Sequence, residues 1–120
     1  MSVIADPRNV EDVDAEKAFN LVFDAVKPPD APSRAWRILG NCYFYGFGTA
    51  SDGKKMIEAL EKAASMGNME ALYRIGYCYE FGINVDADPH RALACYERAA
   101  EAGLSTDAAI QWVLLSSNRF

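Results

Sequence analysis

Residues 35–67, AWRILGNCYFYGFGTASDGKKMIEALEKAASMG, align without a gap on residues 71–103, ALYRIGYCYEFGINVDADPHRALACYERAAEAG. Ala35/Ala71, Gly40/Gly76, Cys42/Cys78, Tyr43/Tyr79, Gly46/Gly82, Asp52/Asp88, Glu61/Glu97, Ala63/Ala99, Ala64/Ala100 and Gly67/Gly103 are identical pairs, and Leu39/Ile75 and Lys55/Arg91 match in kind. A repeat of this length marks an array of supersecondary units. One such unit cannot bury its apolar face alone, and stacking on a neighbour completes it.

Each unit reads as two amphipathic helices. In the first, Ala35, Leu39, Cys42 and Tyr43, and again Ala71, Ile75, Cys78 and Tyr79, recur at the spacing of one helical face. Gly46 and Gly82 are expected to end that helix as left-handed caps. After a short loop, Asp52 and Asp88 stand where an N-cap is wanted, and Pro89 suits a first helical position. The second helix should run to Gly67 or Gly103, with Ala63/Ala64 and Ala99/Ala100 small enough for close antiparallel stacking.

Half-units flank the two copies. DAEKAFNLVFDAV, residues 14–26, repeats the Asp-x-x-Lys-Ala opening of a second helix, with Ala15, Ala18, Phe19, Val22, Phe23 and Val26 in one stripe. KPPDAPS, residues 27–33, is a proline-rich turn that cannot continue it. Residues 105–117 should form a last first-type helix capped by Ser105 or Thr106. The expectation is six helices in a single all-α solenoid domain over residues 1–120, a size that supports one modest core.

The stretch GTASDGKK, residues 48–55, resembles half of a phosphate-binding loop. Such a loop needs a preceding strand, and Ser or Thr after the lysine to hold magnesium. Here a helix is expected before Gly48, Lys55 occupies the Ser/Thr place, and the equivalent stretch NVDADPHR lacks both glycine and lysine. Asn84 replaces Gly48 in that copy, and asparagine is the residue that best tolerates a left-handed backbone, so the shared requirement is a positive φ in a turn.

The repeats resemble the Sel-one-like family, relatives of the tetratricopeptide repeat. The first copy meets its pattern at Ala35, Leu39, Gly40, Tyr43, Gly46, Gly48, Asp52, Lys55, Lys62, Ala63, Ala64 and Gly67. The second meets it at Ala71, Gly76, Tyr79, Gly82, Val85, Asp88, Ala92, Tyr96, Ala99, Ala100 and Gly103. Thr49, Met56, Ala59, Leu60, Asn84 and Cys95 depart from it. The resemblance implies an α/α superhelical solenoid that serves as an adaptor or scaffold, with no catalytic residues to carry over.

The residues agree with that expectation. His90 falls in the first turn of a helix, where a solvated residue fits better than a base. Cys42 and Cys78 are core-facing and lack the exposure a nucleophile needs, and with Cys95 they are odd in number and not at metal-ligand spacing. Glu11, Asp12, Asp14 and Glu16 complement a helix start more simply than they build a metal or acid/base site. No enzymatic activity, metal or cofactor is expected. A net charge of −5 disfavours nucleic acid and anionic lipid, and no apolar run is long enough to span a bilayer. The opening MSVIADPRNVEDVD has neither the basic nor the apolar region of a secretory signal, so a cytoplasmic home is expected.

Positions common to both copies serve packing, so recognition is sought at those that differ on the first helices. The face beside the core stripe carries Arg37, Asn41 and Phe44 on one and Tyr73, Tyr77 and Glu80 on the other. First helices line the concave wall of tetratricopeptide-like solenoids, and aromatics beside an arginine suit an interface. The partner expected is another protein, one with a basic surface complementing the acidic chain. The alternative is a small inhibitor, such as an immunity protein that neutralises a cognate toxin or effector. AAIQWVLL is apolar almost all round. Ile110, Trp112, Leu114 and Leu115 therefore require a cover: the N-terminal arm, a partner, or a second copy in a homodimer.

Overall fold

The computed structural model describes residues 7–102, 110–111 and 113–115, with side chains from Asp14 onward. Helix α1 spans Pro7–Ala25, α2 Ser33–Tyr45, α3 Gly53–Ser65, α4 Met69–Phe81 and α5 Pro89–Glu101. Residues 110–111 and 113–115 are helical as well, and no strand occurs among the described residues. The chain is an all-α helical-repeat solenoid: α2 pairs with α3, α4 pairs with α5, and α3 joins the pairs by packing on α4.

The two pairs turn by the same local chemistry. Gly46 and Gly82 adopt φ of 68° and 66°, and their amides donate to Cys42 O and Cys78 O. One residue on, Phe47 N and Ile83 N donate to the same carbonyls at 2.9 and 3.0 Å. The loops return to the helix they left, since Asp52 N donates to Tyr43 O at 3.3 Å and Asp88 N to Tyr79 O at 2.8 Å. Both aspartates then cap the next helix, accepting from Lys55 N at 3.0 Å and Arg91 N at 3.2 Å. Between the pairs Asn68 caps α4 through Ala71 N at 3.1 Å.

Burial follows the repeat. Met56, Leu60, Ala63, Ala71, Cys78, Ala92, Tyr96 and Ala99 are fully buried. Met56 of α3 meets Cys78 of α4 with its sulfur 3.8 Å away, so it seals the joint between the pairs. Within each pair a glycine lets the helices close. A Cβ on Gly40 would lie 2.6 Å from Leu60 Cγ, and one on Gly76 would lie 2.9 Å from Tyr96 Cε1.

The loop glycines serve geometry. Gly48 and Asn84 have φ of 74° and 62°, the shared left-handed turn. A side chain on Gly48 would also strike the backbone carbonyl of Ala15 on α1, and one on Gly53 would strike the carbonyl of Asn84. Each loop thus rests on the second-type helix before it. α2, not a strand, precedes the GTASDGKK segment.

Helix α1 departs from the expected 14–26: it begins at Pro7, a residue suited to the first helical position, so Asp14 lies inside it and not at its start. Gly103, Ser105, Thr106 and Trp112, and the side chains of Glu11 and Asp12, lie outside the described residues.

Candidate protein-binding surface

Helices α2 and α4 are the first helices of the two pairs, and their contact is aromatic and cationic. Arg74 of α4 places its guanidinium 4.6 Å from the ring centre of Phe44 and 5.6 Å from that of Tyr45, both on α2. Arg74 Nη1 is 3.5 Å from the Tyr45 hydroxyl, and Phe44 and Tyr45 meet edge to face at 4.7 Å. Asn84 Nδ2 donates to Phe44 O at 3.0 Å and fixes the next loop to the end of α2. One turn along α4, Tyr77 contacts Phe81 at 4.9 Å. Tyr45 and Phe81 remain 65% and 57% exposed, so the strip faces water while its arginine is already held against the rings.

The six residues singled out from the sequence fall into two groups. Phe44 and Tyr77 belong to this strip. Arg37 and Asn41 lie on α2 with Arg37 Nε and Asn41 Oδ1 buried and without a hydrogen-bond partner among the described residues. Tyr73 and Glu80 are turned to internal use: the Tyr96 hydroxyl donates to Glu80 Oε1 at 2.7 Å, and the Tyr73 and Tyr96 rings are 5.4 Å apart. The cause is one substitution between the copies. Tyr96 stands where the first pair has Leu60, and its hydroxyl, buried with the rest of the ring, requires an acceptor that α4 supplies. Burial, followed by the bond to Glu80, raises the Tyr96 pKa well above the ordinary phenol value.

The six residues singled out from the sequence do not include Arg74, Tyr45 or Phe81. Tyr45 and Phe81 are aromatic at equivalent positions of the two copies, and both are exposed. Their aromatic identity at exposed helix ends was the available signal.

Towards the C-terminus, Leu115 is buried against Ala92 and Tyr96 of its own chain. Ile110 and Leu114 are 46% and 57% exposed. The three cysteines are free. Burial pushes the thiols of Cys78 and Cys95 each up to about 11 and raises that of Cys42, so all three are neutral at physiological pH. No helix among the described residues is long and apolar enough to cross a membrane.

The Sel1 repeat family model matches residues 37–68 and 70–104. The chain belongs to the Sel1 repeat family. A Sel1 repeat protein from Oxalobacter formigenes, known from its crystal structure, is similar with a TM-score of 0.73 and 23% identity over 91% of this chain and 46% of that one. A protective antigen of uropathogenic Escherichia coli with the SLR fold is similar with a TM-score of 0.63 and 24% identity over 86% of this chain and 25% of that one. The chain thus spans less than half the length of these Sel1 neighbours. No curated protein matches the sequence. Sel1 repeats are generally protein–protein interaction modules and are not typically enzymatic.

Proposed function

We propose that this Sel1 chain is a cytoplasmic adaptor or scaffold that binds another protein along the wall made by α2 and α4. The observation that carries the reading is the strip of Tyr45, Phe44, Arg74, Tyr77 and Phe81. It places large, stiff side chains at the surface with their side-chain entropy already reduced by mutual contact. Arg37 and Asn41 extend the wall towards the start of α2, with Arg37 Nε and Asn41 Oδ1 buried beneath it. Tyr73 and Glu80 border it and orient Tyr96, so their part is structural support.

The net charge of −5 favours encounter with a basic partner, while Arg74 offers a local contact to a carboxylate on it. Three free thiols suit a reducing compartment. The test is capture of partners from a native lysate by the wild-type chain and by Arg74→Glu. Partners held by the wild type and lost by the variant support the reading, and equal recovery overturns it. Recovery of a single protein whose activity the chain abolishes would make it an inhibitor of that protein, as an immunity protein is.

A further inference from the structure

The internal α2/α4 contact is a template for an unfilled place at the other side of α2. Arg74, which faces α2, corresponds in the repeat alignment to Ile38, Cys78 to Cys42, and Phe81 to Tyr45. Ile38 therefore lies on the face that a preceding first-type helix would cover, while Cys42, like Cys78, is turned to the second-type helix before it, and no such first-type helix precedes α1 among the described residues. In its place is a groove of about 210 Å³ between α1 and α2, lined by Ala18, Val22, Ile38, Asn41, Cys42, Tyr45 and Phe47. The lining is apolar except for Asn41, whose buried Oδ1 has no hydrogen-bond partner among the described residues. Leu21, one turn along α1 from Ala18, is exposed beside it.

The far end of the molecule carries the matching piece. Residues 110–111 and 113–115 are helical, and while Leu115 is buried against α5, Ile110, Val113 and Leu114 present an exposed i, i+3, i+4 apolar face. Among the described residues α1 is a second-type helix with no first-type mate before it, and the helical residues 110–111 and 113–115 have no second-type helix after them. Placed together, they compose one more pair in the register of the array.

We infer that the α1/α2 groove of one molecule receives the 110–115 helix of a second copy, so that the chains associate head to tail and continue the solenoid. Groove and helix are different surfaces at opposite ends, so the contact is heterologous and does not close on itself at two molecules. Acidic copies repel one another, so added salt strengthens the association.

Ile38 and Leu114 lie outside the proposed partner strip, although Tyr45 borders both the strip and the groove, so their variants test this contact without removing a residue of the strip. The experiment is sedimentation equilibrium on the 120-residue chain from low micromolar to near-millimolar concentration. The wild type is expected to rise in mass beyond a dimer. Ile38→Asp and Leu114→Asp should each associate at least about tenfold more weakly, because each puts an unpaired carboxylate into an apolar contact. An equimolar mixture of the two should form a dimer that grows no further, since one good groove meets one good helix. Ile110→Asp should behave as Leu114→Asp, and far-UV circular dichroism matching the wild type establishes that the variants are folded. A wild type that stays monomeric, a variant that associates as the wild type does, or a mixture that does not pair overturns the inference. The last result is what a symmetric dimer through the C-terminal helix would give.

Discussion

Gly53, which opens α3, lies so close beneath the carbonyl of Asn84 that there is no room for a methyl group between them. The loop of one repeat is thereby seated on the helix start of the repeat before it, as the Gly48 loop is seated on Ala15. Gly53→Ala should therefore destabilise the chain by about 1–3 kcal/mol, the usual cost of forcing atoms into a filled contact. Lys54→Ala, at an exposed neighbour, should change stability by less than about 0.5 kcal/mol. Urea unfolding of both variants checks the contrast.

Asp52 and Asp88 perform one task in two places, each accepting a single amide bond at the start of a second-type helix. Asp52→Ala and Asp88→Ala should each cost about 1 kcal/mol, while the asparagine variants should retain most of the stability. Thermal melts of the four variants measure this. The loss at Asp88 should be equal or slightly larger, since its other oxygen also pairs with Arg91 Nε at 3.4 Å.

Alkaline pH should loosen the core. The folded-state pKa values of Cys78 and Cys95 are raised to about 11 from an ordinary 9.0, and that of Tyr96 is raised as well, by burial in each case. The folded state therefore holds these protons when the unfolded chain has released them. Their stabilisation is complete below pH 9 and is lost as pH rises towards 11 and beyond. Guanidinium midpoints measured from pH 7 to pH 10.5 should fall once the pH passes about 9. A Cys78→Ala/Cys95→Ala double variant, whatever its stability at pH 7, should lose less on the way up.

Much of the array was legible in the sequence because it is set by local chemistry. The left-handed turn at Gly48 and Asn84 was visible from the swap of one tolerant residue for another, and the caps were visible from Asp52 and Asp88. The surface was read less completely. The rule that shared positions serve packing gave no reason to single out the equivalent aromatics Tyr45 and Phe81, which helix ends beside a loop leave in water. The rule that differing positions serve recognition included Tyr73 and Glu80, which answer to Tyr96 on another helix. That dependence is carried by tertiary contact between positions 80 and 96. The start of α1 was missed because the Asp14–Lys17 match to Asp52–Lys55 drew the boundary inward from Pro7.

Arg74 stacks on two rings at a surface, an arrangement worth about 0.5–1 kcal/mol per exposed pair. Arg74→Ala should thus lower stability by only that order. Its larger effect should fall on partner affinity, with a loss of about tenfold or more in a calorimetric titration, as expected at the centre of an interface.

The partner-binding wall is tested most directly by Tyr77→Glu. Once a partner has been captured, its affinity for the wild type and for this variant is measured by titration calorimetry, alongside their thermal melts. The account predicts at least about tenfold weaker binding with a melting curve close to that of the wild type, since the substitution places a charge at the middle of the strip. Equal affinity in a folded variant would contradict it.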